Sequence, residues 1–247
     1  FVCGALPAMP AMALVVDEYV PATVNRVYEN TDILNLKAKS AILIDGHTGT
    51  VLFEKSSSDK LPIASVTKIM SMLLIMEAIE SNRLSYDTKV TVSEHSHSMG
   101  GSQVWLEPGE VFTVDELLKA VAIHSANDAT VALGECIAGS EEAFVNMMNE
   151  KARKLGMNNT TFLDCTGLTD EGHYSSAFDI AIMSRELLLK HPDIINYTRI
   201  WHDSFRDNVP GKNAVSLDNT NKLIRWYDGA TGLKTGFTNK AGYCLSA

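Results

Sequence analysis

The chain carries no C-x-x-C pair, no H-E-x-x-H segment and no internal repeat. Its four cysteines, Cys3, Cys136, Cys165 and Cys244, stand far apart. Neither a disulfide framework nor a thiolate metal site follows, and the cysteines are expected to be small buried apolar residues. The H-x-H pair, His95 and His97, has no third ligand at helical spacing; both are expected to be exposed loop histidines, with no metal. Basic residues are in deficit: 21 Lys and Arg face 30 Asp and Glu, a formal net charge of −9. That balance argues against nucleic acid, or an anionic membrane surface, as the main partner. Strands and helices do not alternate as in βαβ units, which excludes a purely parallel sheet.

What is present is an ordinary globular composition. The 247 residues are 45% hydrophobic and 21% charged, enough for one large domain or two small ones with a full core. The sequence does not begin with Met. Residues 1–13 are apolar and uncharged, and Ala11-Met12-Ala13 has the small-x-small form of a signal-peptidase site. Residues 1–13 are therefore expected to be the remnant of a secretory signal, which places the mature protein outside the cytoplasm. Residues 14–36 read as an extended arm. Residues 242–247 read as a strand that stops on entry, so the sequence is expected to be a fragment cut inside a fold.

Residues 40–45 and 50–54 are β-rich arms around Gly46-His47-Thr48-Gly49, a hairpin pattern. Residues 69–79 read as a buried helix whose methionines, Met70, Met72 and Met76, belong to the core. A short strand is predicted over residues 89–92 and a loop over residues 94–101. Thr113 and Glu116 form a capping box for a helix through His124. A helix over residues 128–138 follows, then one capped by Ser140 and stopped by Gly156, and one from Ser176 to Lys190. A short strand is predicted over residues 158–164, loop with strand pieces over residues 213–226, and a strand over residues 233–237. The first hairpin and the last strands are expected to join one antiparallel sheet, with helices on it and in a separate cluster.

The chemistry centres on Ala64-Ser65-Val66-Thr67-Lys68. Ser65 and Lys68, three residues apart at a helix start, lie on one face one turn apart. A serine hydroxyl needs a neighbouring base to become a nucleophile. A lysine pressed into an apolar wall can lose its charge and serve as that base. The helix N-terminus favours developing negative charge beside Ser65. The bland alternative is an N-cap serine followed by a surface lysine, since S-x-x-K arises roughly once by chance in a chain of this length.

Two further patterns change the reading. Ser125-Ala126-Asn127 falls in a turn between helices, where the hydroxyl can relay protons and the amide can hold a carbonyl. Lys234-Thr235-Gly236 falls on a strand: an ammonium for a carboxylate, a hydroxyl, and a glycine that admits close backbone approach. S-x-x-K, S-x-N and K-T-G in this order are the signature of penicillin-binding proteins and their β-lactamase relatives.

The surrounding wording goes further. Pro62-Ile63-Ala64-Ser65-Val66-Thr67-Lys68-Ile69-Met70, Gly100-Gly101-Ser102-Gln103-Val104, Ser125-Ala126-Asn127-Asp128-Ala129 and Gly232-Leu233-Lys234-Thr235-Gly236-Phe237-Thr238 closely resemble the low-molecular-mass penicillin-binding proteins that act as serine D-alanyl-D-alanine carboxypeptidases. The resemblance runs from about Leu36 to the end of the chain. It implies an α+β fold, a five-stranded antiparallel sheet flanked by helices with the site facing an all-helical lobe, and makes residues 37–247 an incomplete catalytic domain.

The resemblance also implies roles. Ser65 attacks the bond between two D-alanines of a peptidoglycan stem peptide, Lys68 takes its proton, and Ser125 relays a proton to the leaving D-alanine. Asn127 holds substrate and positions Lys68, while Lys234 and Thr235, with Gly236, hold the terminal carboxylate. The N–H groups of Ser65 and Phe237 form the oxyanion hole. No cofactor is implied, and β-lactams are implied as covalent inhibitors. The location implied is the outer face of the cytoplasmic membrane, with anchoring only through a C-terminal region beyond this sequence. Two departures matter. Ala126 stands where class A β-lactamases usually have Asp, and no E-x-x-L-N lies between Ser125 and Lys234 to supply their deacylating glutamate. A β-lactamase and a non-catalytic binding relic of the same fold are the alternatives. Asp128 is assigned to its helix dipole and His124 to packing, while Trp105 lies in a loop bordering the site.

Overall fold

Thr113, Ser140 and Ser176 each stand before an apolar-periodic segment, and each caps a helix in the computed structural model, which describes residues 34–169, 171–207, 211 and 213–247. Each side-chain oxygen accepts from a backbone N–H three residues on, satisfying a donor that the helix itself leaves unpaired. The first hairpin pairs β1 (Ala41–Ile44) with β2 (Val51–Lys55). A single 3-10 turn, Ala64–Thr67, leads into α1 (Lys68–Glu80). Strand β3 (Lys89–Thr91) precedes the short α2 (Glu94–His97), then β4 (Val111–Thr113), which pairs with β3. Next come α3 (Val114–His124), α4 (Asn127–Ala138), α5 (Glu141–Lys154), α6 (Ala177–Lys190) and α7 (Ile195–Thr198). The chain ends with β5 (His202–Phe205) paired to β6 (Val215–Asp218), α8 (Leu223–Trp226), and β7 (Lys234–Thr238) paired to β8 (Gly242–Ser246).

Helix α1 has no polar face to offer water along most of its length. Ile69, Met70, Met72, Leu73 and Ile75 are all fully buried, as expected of a central helix. It packs against α3, α4, α5 and α6 and forms the axis of the molecule. Where α1, α5 and α6 meet, Lys151 Nζ lies 2.5 Å from Glu77 Oε1 and 3.4 Å from Glu186 Oε1. The Glu186 side chain is 1% exposed, so the lysine brings a cation to a buried carboxylate. Among the described residues no helix is long and apolar enough to cross a membrane.

The class of fold agrees with the sequence reading; several details do not. The segment after Val92 folds into α2 because Ser93 and Ser96 cap each other reciprocally, a box with serine in the usual Glu position. No strand forms over residues 158–164; Thr161 makes one isolated bridge to Tyr174. Strand β5 was not anticipated. The expected single sheet is instead four two-stranded ladders among the described residues. The first and last hairpins are held by neighbouring residues of α6: Ser184 Oγ lies 2.9 Å from Ser246 Oγ, and Arg185 Nε donates to Gly46 O at 2.9 Å. A common sheet requires continuous backbone pairing between adjacent edges, and these hairpins share a helix rather than a ladder. Cys165 is buried, but Cys136 is exposed because its position on α4 faces outward. The signal remnant, nearly all of the arm and Cys3 lie outside the described residues.

Replacing Lys151 with Met removes the ammonium that bridges Glu77 and the buried Glu186. The expected outcome is a loss of about 3 kcal/mol in urea unfolding. A midpoint unchanged from wild type would show that the triad does not hold the three helices together.

Candidate active site

Lys68 is the first residue of α1 and is 0% exposed. Being one 3-10 turn beyond Ser65, it points its amine back along the helix start, and Nζ lies 2.9 Å from Ser65 Oγ. The same nitrogen donates to Thr166 O at 2.8 Å, from a loop 98 residues away. Burial pushes the Lys68 ammonium down to about 7, while neighbouring Cys165, Asp164 and Asp128 pull the other way. The amine is therefore poised between base and acid near neutrality, as proton transfer from a serine requires.

Strand β7 lies directly against the Ser65 turn. A Cβ on Gly236 would sit 2.9 Å from both Ile63 O and Ser65 N, and 3.0 Å from Val66 N. These neighbours are backbone and cannot swing away, so only glycine permits the approach. The strand starts with Lys234, 2% exposed, whose Nζ donates to Thr235 O at 2.9 Å. Burial and then the charge of Lys68 hold the Lys234 ammonium well below the usual lysine range. An incoming carboxylate would supply the counter-charge that favours its protonated form. Thr235 Oγ1 is 2.5 Å from Thr220 Oγ1. Phe237 is half exposed, with its ring 4.8 Å from that of its cross-strand partner Tyr243.

Ser125 ends α3 in the left-handed conformation (φ 63°), and Asn127 begins α4. Both are buried, yet Ser125 Oγ and Asn127 Oδ1 have no hydrogen-bond partner among the described residues. Buried polar atoms left unpaired cost about 1–3 kcal/mol each and concentrate where a ligand completes them. The Asn127 amide nitrogen donates to Gly100 O at 2.6 Å, and its backbone N–H to Ser102 O at 2.7 Å. No hydrogen bond joins Asn127 to Lys68 among the described residues: Lys68 bonds Ser65 and Thr166, while the Asn127 backbone N–H and one of its side-chain N–H donors go to the loop of residues 100–102.

Some expectations change. Asp128 is fully buried, and its carboxylate accepts from the N–H groups of Val104 and Leu106, so it anchors a loop as well as sitting in a helix first turn. Arg206 grips the same loop from the other side, donating to Val104 O and Trp105 O. Trp105 is thereby held 61% exposed. His95 and His97 are exposed but lie on α2, with His95 Nε2 2.6 Å from Glu141 Oε2 and His97 Nδ1 2.7 Å from Leu106 O. No group of three or more His, Cys, Asp or Glu suited to a metal occurs among the described residues. Thr166 and Asp164 are the site residues that motif reading missed. The one local signal for them was Asp-Cys-Thr-Gly, a turn-prone string with glycine where φ is positive.

A half-buried serine bonded to a buried lysine, between an antiparallel hairpin and a helical lobe, defines the class of protein, and solved structures agree. The D-alanyl-D-alanine carboxypeptidase DacD of Francisella tularensis superposes with a TM-score of 0.80 at 29% identity, covering 91% of this chain and 65% of that one. Penicillin-binding protein D2 of Listeria monocytogenes in its ampicillin-bound form gives 0.74 at 31% identity, covering 85% and 83%. The chain belongs to the D-alanyl-D-alanine carboxypeptidase family, whose profile matches residues 25–247. It is 53% identical over 219 residues to D-alanyl-D-alanine carboxypeptidase DacF of Bacillus subtilis, covering 89% of this chain and 56% of that protein. It is 35% identical to DacC of Escherichia coli, covering 86% and 53%. The chain thus spans about half the length of these curated relatives.

Two outcomes follow from this geometry. Gly236→Ala should slow acylation of Ser65 on the order of 100-fold, since displacing reacting groups by about 1 Å has that effect; wild-type rates would mean that β7 does not set the Ser65 turn. The acylation rate should rise with pH through a midpoint near 7, as Lys68 loses its proton. A flat profile between pH 5 and 9 would remove Lys68 as the base.

Proposed function

We propose that this chain is the catalytic part of a serine D-alanyl-D-alanine carboxypeptidase acting on peptidoglycan stem pentapeptides, and that β-lactams acylate it. The observation that carries the reading is the fully buried Lys68 amine 2.9 Å from Ser65 Oγ. Unprotonated Lys68 takes the Ser65 proton as Oγ attacks the carbonyl carbon between the two D-alanines. The backbone N–H groups of Ser65 and Phe237 receive the negative charge on the carbonyl oxygen. Collapse breaks the peptide bond, and Ser125 Oγ relays a proton to the departing amine. Water then attacks the acyl-enzyme ester, releasing the shortened peptide and restoring the Ser65 hydroxyl. Lys234 pairs with the terminal carboxylate, Thr235 adds its hydroxyl, and Asn127 Oδ1 accepts from the substrate backbone. The substrate's place in the cell wall puts this activity outside the cytoplasm, at the outer face of the cytoplasmic membrane.

A β-lactam presents its strained amide where the D-alanyl bond would lie. Its deacylation should be slow, because no E-x-x-L-N glutamate activates the water.

Intact-mass spectrometry of the protein with penicillin, beside Ser65→Ala, tests the reading. One long-lived adduct, absent from the variant, together with D-alanine release from a D-Ala-D-Ala peptide, is the expected result. An adduct that turns over within seconds would make the protein a β-lactamase, and no adduct from folded protein would make it a binding relic. Lys68→Ala should lower acylation about 10³-fold at unchanged melting temperature. Lys234→Ala should weaken capture of a peptide with a free carboxylate roughly 100-fold, the equivalent of about 3 kcal/mol, and spare an amidated peptide. Equal losses on both peptides would refute the anchor role.

A further inference from the structure

We propose that Asp164 is a positioning residue for Lys68: its carboxylate gathers the backbone of residues 166–169 and so fixes the Thr166 carbonyl against the lysine amine. This inference rests on the reading of Lys68 as the proton acceptor for Ser65.

The construction is specific. Asp164 Oδ1 accepts from the N–H of Thr166 at 2.7 Å, of Gly167 at 2.5 Å and of Leu168 at 3.4 Å, and from Thr166 Oγ1 at 2.8 Å. Its Oδ2 accepts from the N–H of Thr169 at 2.7 Å. One carboxylate thus holds four successive N–H groups, an arrangement that fixes the direction of the intervening carbonyls. The Thr166 carbonyl points at Lys68 Nζ, 2.8 Å away. With one amine N–H spent on that carbonyl, the lone pair of the neutral amine is free to face Ser65 Oγ.

The loop cannot drift from this place. Gly167 has φ +86°, and a Cβ there would fall 1.9 Å from Ala64 O, so the loop is wedged on the turn that carries Ser65. On the far side, His173 Nδ1 accepts from Leu163 N–H at 3.2 Å and lies 3.7 Å from Asp164 Oδ2. Its other nitrogen, Nε2, therefore carries the hydrogen and donates to Thr67 Oγ1 at 2.8 Å. The nucleophile turn and the carbonyl that orients its base are referenced to the same carboxylate.

Asp164 also acts through charge. Burial works to raise its carboxyl, but hydrogen bonds from Thr169 and Thr166 outweigh this and keep it ionised well below the usual carboxylate range. The groups facing Lys68 are Asp164 and Cys165 from this loop, Asp128 from α4 and Lys234 from β7. Burial pushes the Cys165 thiol well up, so Asp164 and Asp128 are the negative charges that oppose the desolvation of Lys68. Asp164→Asn keeps the size of the side chain, removes its charge and turns one acceptor into a donor facing an N–H.

The test is the rate of penicillin acylation against pH for wild type, Asp164→Asn and Thr166→Val. In Asp164→Asn the plateau should fall about tenfold, and the acid limb should move to lower pH by roughly half to one unit, because Lys68 loses a stabilising anion. Thr166→Val keeps the charge and removes one donor to it; its plateau should fall severalfold with the acid limb in place. A slower Asp164→Asn with an unmoved limb would reduce Asp164 to a structural part and overturn the proposal, as would full wild-type behaviour. If Asp164→Asn melts without cooperativity, Thr166→Val decides, and an undiminished plateau there overturns it. Wild-type protein that is not acylated would refute the Ser65–Lys68 reading itself, an outcome distinct from an unmoved limb.

Discussion

The site depends on one buried amine. Lys68 sits fully buried at the head of an apolar helix, and among the described residues no carboxylate pairs with it directly. A charged ammonium in that position is poorly solvated, so its proton is held weakly. The contact with Ser65 Oγ converts this instability into chemistry, because the amine can accept the proton that makes the hydroxyl a nucleophile. If α1 were amphipathic in the usual way, with Lys68 facing water, the same S-x-x-K would be an inert surface pair.

Two further carboxylates set the walls around that amine by the same device. Asp164 gathers the N–H groups of the loop below Ser65, and Asp128 takes those of Val104 and Leu106 in the loop on the helical lobe. Both carboxylates are also the anions that moderate the desolvation of Lys68. Loop geometry and base strength are thereby coupled: moving either carboxylate alters a wall of the site and the charge balance at its centre. The third wall is steric. At Gly236 the strand touches the Ser65 turn through backbone alone, which leaves no room for side-chain compensation.

Against these satisfied groups, the unpaired Ser125 Oγ and Asn127 Oδ1 stand out. Their cost is borne by a fold with a fully buried central helix, and it leaves two polar atoms open to a ligand. Asn127 is tied on one side: its backbone N–H and one of its two side-chain N–H donors are committed to the loop of residues 100–102, while its carbonyl oxygen is unpaired among the described residues.

Much of the fold was legible because its signals are local. A cap binds a backbone N–H three residues on, so Thr113, Ser140 and Ser176 announced their helices unaided. The long, mostly apolar run after Lys68 read as a buried helix, and the order of Ser65, Lys68, Ser125, Asn127, Lys234, Thr235 and Gly236 named the family. The serine cap of α2 and the polar strand β5 were missed because their local patterns are weak. Whether the hairpins share a sheet was not legible either, since strand pairing is a property of distant edges. Motif reading likewise overlooked Thr166, because a carbonyl oxygen is present at every residue and only its direction makes it a site group. Sequence alone determined which side chains are candidates for the chemistry. Tertiary structure decided that the Lys68 amine holds its proton weakly, because its proton affinity depends on desolvation by the packed core and on carboxylates brought together from separate parts of the chain.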